Sequence, residues 1–189
     1  MQATVAKLRE LLALADHPAD QDADSQRAQL LAHAAGQGLN EAQTQALLPR
    51  ATEALGGPFT VLVNNASIFD YDTLSSATRA SWDRHMESNL RAPFVLTQAF
   101  ADQAPPAGVD GHGEPVASGL VVIMIDQRVH KLTPEFMTYT IAKMGLWALT
   151  RTAAQALAPH IRVNAIGPGP TLQGGRQSSE AFAKQRAST

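Results

Sequence analysis

Tyr139 and Lys143 are the residues of this chain whose types and spacing most directly suggest chemistry. Four positions apart on a helix, they share one face about one turn from each other. A phenol ordinarily titrates near about pH 10, too high for proton transfer at neutrality. An adjacent ammonium stabilises the phenolate and lowers that value. The pair therefore predicts a tyrosine that hands a proton to a carbonyl or imine as hydride arrives at its carbon. A Tyr–Lys pair is also a common solvated feature of helix surfaces, so the reading depends on what else the chain brings alongside. Three further groups stand out: Asn64-Asn65-Ala66-Ser67 with Phe69, Asp126, and Gly167-Pro168-Gly169.

Each of these groups directly follows a short apolar run of the kind that forms a buried strand. The runs are residues 60–63, 120–125 and 161–165. Between them the pattern predicts a helix over about 78–101, with Pro93 as a break or kink, and a long helix from Pro134 to about Ala158. Residues 102–118 hold three prolines and three glycines and read as a surface loop. Ahead of the first strand, Asn40 predicts the N-cap of a helix over 41–55, stopped by Gly56-Gly57-Pro58. Earlier still, residues 3–15 and a stretch after Ser25 have helical spacing, and the tail from Arg176 is polar and helical in character. Helices alternating with continuous apolar strands predict an α/β fold with a parallel sheet covered on both faces. Such sheets bind ligands beyond the carboxyl ends of their strands, where all three polar groups must converge.

Composition sets the outer bounds. The chain has 189 residues, 44% hydrophobic and 17% charged, with a net charge of −2. That is globular composition, of a length suited to one domain, and it argues against a nucleic-acid or membrane partner recruited by bulk charge. There is no cysteine, which removes disulfides and thiolate chemistry. No apolar run reaches membrane-spanning length, and residues 1–15 lack a signal-peptide layout, so the expectation is a cytoplasmic protein. The six histidines show no metal-binding spacing, and no metal is expected.

Four elements in order resemble the short-chain dehydrogenase/reductase family over residues 41–189. They are Asn64-Asn65-Ala66-Ser67 (the family's NNAG element), Asn89, Tyr139-Thr140-Ile141-Ala142-Lys143 (YxxxK) and Arg162-Val163-Asn164-Ala165-Ile166-Gly167-Pro168-Gly169. The resemblance implies a Rossmann-like doubly wound sheet and a catalytic set of Asn89, Asp126, Tyr139 and Lys143. Tyr139 would be the proton donor, with Lys143 lowering its pKa and holding the nicotinamide ribose, and Asn89 would hold a relay water. Asn64, Asn65, Ala66, Pro168 and Gly169 would complete the cofactor site with Tyr139 and Lys143. Asp126 replaces the usual serine, and that exchange is similar to the pteridine and dihydromonapterin reductases. Ser67 in place of glycine and an aromatic at Phe69 agree with that subgroup. Phe69 would stack on a pterin, and Ser67 and Asp126 would orient it. Phe69 can equally be a core residue of its loop, and Asn64 and Asn65 can serve the strand end alone.

The resemblance also sets expectations about what is missing. No strand followed by a Gly-rich turn is visible in residues 1–40; Gly36-Gln37-Gly38 reads as a helix C-cap. Residues 1–40 are therefore set apart as an unmatched helical segment, and the sheet is expected to be incomplete, lacking its last strand as well. The cofactor expected is NADP, with NAD open, and the substrate is a small molecule such as a pterin. A homo-oligomer through helices 79–101 and 134–158 is the expected assembly. Two other readings stay open: a truncated, catalytically silent family member, and a non-enzymatic interaction module.

Overall fold

The computed structural model describes residues 41–171, 173 and 178–187. The predicted helices over 3–15 and after Ser25, and the Gly36–Gly38 turn, lie outside the described residues. The predicted helix over 41–55 is two, α1 (Glu41–Gln45) and α2 (Leu47–Leu55), parted at Ala46. Gly56 ends α2 in the left-handed conformation, φ 74°, which a residue without Cβ adopts freely. Strand β1 (Val61–Asn64) follows. Helix α3 (Arg79–Met86) starts at Thr78 with a reciprocal capping box to Ser81.

The break or kink predicted at Pro93 corresponds to an irregularity just ahead of it. A π-helical turn, Glu87–Arg91, carries α3 into α4 (Ala92–Gln103). Pro93 has no N–H to return to the previous turn, and the wider turn just ahead of it relaxes the ladder there. Within the predicted loop, β2 (Gly108–Val109) and β3 (Pro115–Val116) form a short exposed antiparallel hairpin. Strand β4 (Gly119–Met124), a 3₁₀ turn (Gln127–Val129), the long α5 (Met137–Leu157), β5 (Ile161–Ile166) and α6 (Ser179–Ala187) complete the order.

The main sheet is parallel, in the order β1-β4-β5, with Leu62 beside Val121 and Val121 beside Val163. Leu62, Val121, Ile123, Ile161 and Val163 are buried in one row, together with Leu48, Leu96, Phe100 and Leu146 from α2, α4 and α5. Phe59 and Phe100 pack ring to ring, with centroids 5.6 Å apart. The alternate residues Val61, Val63, Leu120 and Val122 are only half-buried. Side chains alternate along a strand, so the described helices close one face of the sheet more tightly than the other. Among the described residues this is the expected α/β parallel sheet, with three strands. Among the described residues, no helix is long and apolar enough to cross a membrane.

Helix α5 begins three residues later than predicted. Phe136 takes a left-handed conformation, φ 56°, ψ 46°, so a helix cannot run through it. Its N–H donates to the Asp72 carbonyl at 2.7 Å, and the Met137 N–H shares that acceptor at 3.4 Å. The start of the helix is therefore fixed by a loop more than sixty residues earlier in the chain.

Candidate active site

The loops after β1, β4 and β5 meet at one end of the sheet. The Gln127 N–H donates to the Pro168 carbonyl at 3.3 Å, and the Ile125 N–H to the Ile166 carbonyl at 2.9 Å, joining the second and third loops. Phe69, from the first, lies edge-on to Tyr139 with ring centroids 4.7 Å apart. Helix α5 carries Tyr139 and Lys143 into this junction, and both are buried.

The Tyr139 hydroxyl donates to Asp126 Oδ2 at 2.8 Å. The Lys143 ammonium donates to the Met124 carbonyl at 2.7 Å and lies 5.6 Å from the Tyr139 ring centroid. This geometry corrects one expectation. Tyr139 titrates well above the usual phenol range, not below it. Burial disfavours the phenolate, and the charge and hydrogen bond of Asp126 disfavour it further; Arg128 and Ser67 pull the other way without prevailing. Tyr139 is thus held as a neutral, protonated donor. Burial lowers Lys143 to about 8, against the opposing pull of Asp126.

Phe69 is 40% exposed, so it is not a core residue of its loop. Its ring stacks on Phe136 with centroids 4.1 Å apart and planes 8° from parallel. The Arg128 guanidinium lies 5.2 Å from the Phe69 centroid and 4.8 Å from that of Phe136. With the two rings only 4.1 Å apart, those distances put the cation beside the stack rather than on its far side. Arg128 is also tied to Asp126, by its N–H to Oδ1 at 2.8 Å and by its guanidinium at 3.7 Å. Its Nε is buried with no hydrogen-bond partner. Phe136 and Arg128 are site residues to which the sequence pattern gave no role. Arg128 lies only two positions after Asp126, which was a usable signal. The place of Phe136 depends on its unusual backbone and left none.

Asn89 is fully buried in the π-helical turn, where its side chain clamps the Ile68 backbone. Its Oδ1 accepts the Ile68 N–H at 2.9 Å, and its Nδ2 donates to the Ile68 carbonyl at 2.9 Å. These bonds place Asn89 under the first loop, where it shapes the site from behind. Two more buried side chains, His85 and Asp72, join the same scaffold through Thr138, the residue before Tyr139. Asn64 belongs to the buried row of β1, where its Nδ2 donates to Thr97 Oγ1 at 3.3 Å. That bond gives Asn64 the strand-end role, although its Oδ1 stays buried without a partner. Asn65 and Ser67 are exposed in the first loop, and Ala66 is buried between them.

Comparison with known proteins identifies the family of the chain. The profile of the short chain dehydrogenase family matches residues 6–183. The chain belongs to that family. The matched range takes in most of residues 1–40, where the motifs gave no resemblance. The chain is 37% identical over 128 residues to a probable galactose dehydrogenase of Rhizobium meliloti, covering 66% of this chain and 46% of that protein. Among solved structures it resembles an alternative dihydrofolate reductase, FolM, from Brucella canis complexed with NADP. The TM-score is 0.66 at 45% identity, covering 77% of this chain and 54% of the other. A Burkholderia cenocepacia short chain dehydrogenase in complex with NADP gives a TM-score of 0.64 at 25% identity, covering 77% and 56%. The chain spans about half the length of the relatives it matches.

As a short chain dehydrogenase, the chain can be tested for its fit to the nicotinamide end of a dinucleotide. Lys143 has three N–H donors and spends one on Met124, leaving two at a buried position for a hydroxyl-bearing ligand. Pro168 and Gly169 are half-buried beside the Asp126 loop. The residues present fit a nicotinamide riboside. A pyrophosphate needs a different element, the N–H-rich start of a helix after a Gly-rich turn.

Proposed function

We propose that this chain carries the catalytic half of an NADPH-dependent reductase of a pterin or a similar small planar carbonyl or imine substrate. The observation that supports it most is the Tyr139 hydroxyl 2.8 Å from the Asp126 carboxylate, with the Phe69 ring edge-on beside it, at the carboxyl end of a parallel sheet. The 45% identity to a FolM alternative dihydrofolate reductase supports the substrate class.

When bound, the dinucleotide supplies the hydride. The chain's residues do the rest. Tyr139 keeps its proton until an oxygen or nitrogen on the substrate gains charge, then gives it up through its Oη. Asp126 holds the phenol in one rotamer, and its Oδ1, which already accepts the Arg128 N–H, has a second lone pair for a ring N–H. Lys143 binds ribose hydroxyls, and its buried charge balances the phenolate left after proton transfer. Phe69, one face of which is covered by Phe136, presents the other to a flat heterocycle.

The test is thermal melting of the chain with and without NADPH, then with dihydrofolate added. A ligand that binds only the folded state raises the melting point by mass action. A rise with NADPH, and a further rise with dihydrofolate, is the expected result. No rise at saturating NADPH overturns the proposal for this chain and favours the catalytically silent reading.

The proposed assembly is a homo-oligomer through α3, α4 and α5, which expose Trp82, Phe94, Ile141 and Met144. Sedimentation of the wild type against Ile141→Lys is the check. A wild type that is already monomeric removes this part of the proposal.

A further inference from the structure

We propose that His85 is a positioning residue that sets the contact between Phe69 and Tyr139 by tying the Phe69 loop to the start of α5. The inference rests on reading that contact as the closed edge of the reductase's substrate slot, whose walls are the Phe69 loop and the start of α5. His85 is fully buried on α3, and it touches both walls of the slot without lining it. On one side its Nε2 accepts the Asp70 N–H at 3.2 Å. That bond leaves the ring proton on Nδ1, which donates to Thr138 Oγ1 at 2.7 Å. With one lone pair so engaged, the Thr138 hydroxyl gives its own proton to the Asp72 carboxylate. The Thr138 N–H also donates to Asp72, at 3.2 Å. With this tautomer each proton in the chain of bonds has a donor and an acceptor, and the Ser81 backbone adds a further bond to the ring.

The position of Phe69 follows from its neighbours. Ile68 is clamped by Asn89, and Asp70 is held by His85 and by an ion pair to Arg84 at 2.9 Å. Phe69 is the residue between the two anchors. On the opposite wall, Thr138 precedes Tyr139, and Asp72 holds the backbone of Phe136 and Met137. One imidazole therefore couples the stacking aromatic to the proton donor, through a bond to Thr138 that itself spans 53 residues of chain.

The groups facing His85 are Asp70 and Asp72 from the loop, Arg84 from its own helix and the Tyr139 ring from α5, at 6.0 Å. Burial keeps the imidazole neutral against the pull of the two carboxylates, with Arg84 assisting. An added proton would put a second N–H where the Asp70 N–H needs an acceptor, and the loop side of the bridge would open.

Aromatic nuclear Overhauser cross-peaks test this, because the chain has only six phenylalanines and two tyrosines. The Phe69–Tyr139 cross-peak reports the slot, and the Phe59–Phe100 cross-peak reports the core. In Thr138→Val and His85→Leu the first should fall to baseline while the second persists, and Thr138→Ser should keep both. In the wild type, acidification should abolish the Phe69–Tyr139 cross-peak in step with protonation of His85, followed by its ring-carbon resonance, while the core cross-peak remains. This last measurement decides the matter if the variants fail to fold.

A folded Thr138→Val or His85→Leu with both cross-peaks at wild-type intensity overturns the proposal. So does a protonated His85 with the slot cross-peak unchanged, or a Thr138→Ser variant that loses it. Simultaneous loss of both cross-peaks throughout also overturns it, because His85 would then hold the whole fold and not the slot. None of these readouts needs a cofactor, so they stand apart from the NADPH melting test of the reductase reading.

Discussion

Two clusters of buried polar side chains lie within a few ångströms of each other and differ in how their hydrogen bonds are spent. Around His85, Thr138, Asp72 and Asn89, the recorded bonds run between protein groups and close on themselves. Around Tyr139, Asp126, Arg128 and Lys143, capacity is left over: the Arg128 Nε has no partner, and Lys143 has donors beyond its one bond to Met124. Leaving a buried donor unmade is costly, so a cluster that does so is suited to a ligand that completes it. The closed cluster serves to hold, and the open one to bind and react.

The largest expected effect lies in the open cluster. Tyr139→Phe removes the transferable proton and should lower turnover by roughly 100- to 10,000-fold, with the NADPH-induced melting shift retained. Steady-state reduction of dihydrofolate beside a melting curve checks both; turnover at the wild-type rate would remove Tyr139 as the donor. The closed cluster should dominate stability. Asp72→Ala strands two buried Thr138 donors and should cost about 2–4 kcal/mol in urea unfolding. Asp126→Asn keeps its oxygen as an acceptor for the Arg128 N–H and turns its NH2 toward the Tyr139 hydroxyl, which can accept as well as donate, and should stay within about 1 kcal/mol of the wild type. Equal losses in the two variants would erase the distinction between the clusters.

The clusters should also govern opposite ends of the pH–stability profile. His85 is lowered below its ordinary value of 6.5 in the folded chain, chiefly by burial. The unfolded chain therefore takes up that proton first, and stability falls as the pH drops below about 6.5. Asp72 adds a second loss as pH falls below its ordinary 3.8; burial alone would raise it, but its bonds to Thr138 and Ser81 and the charge of His85 bring it lower. At the alkaline end, Lys143 titrates at about 8 when folded and 10.5 when unfolded, so its contribution to stability rises across that window. Tyr139 is raised, so above about pH 10 the unfolded chain sheds a proton that the folded one keeps, and stability falls. Urea midpoints across the pH range check the signs. His85→Leu should flatten the acid limb alone, and Asp126→Asn should soften the alkaline one. The smallest effect is expected at Phe136, which stands between the clusters. Phe136→Asn relieves a left-handed backbone that asparagine tolerates but loses a stacked ring, for a net change within about 1 kcal/mol.

Much of the fold was legible because its signals are local. Apolar runs marked β1, β4 and β5 to within a residue or two at each end, and the glycine stop after α2 appears as a left-handed cap at Gly56. The split at Ala46 and the β2–β3 hairpin were not legible. A two-residue strand carries too little pattern, and a single irregular turn leaves the helical period intact on either side. In the site, Tyr139 and Lys143 were legible by type and spacing, Asp126 and Phe69 by their place after a strand and by family resemblance, and the structure brings all four together.

The sequence by itself determined an alternating α/β chain, the polar loops that follow its strands, and a helix presenting tyrosine and lysine on one face. Those follow from periodicities of two and about four residues, which any short window contains. Tertiary structure decided which groups those residues face. It bonded Tyr139 to Asp126 and placed it in a setting that raises its pKa, turned Phe136 left-handed onto Phe69, and closed His85, Thr138 and Asp72 into one network. These outcomes depend on burial and on partners 53 and 66 residues apart. Neither is present in any local stretch of chain, and each sets a proton's energy only once the fold has removed the water.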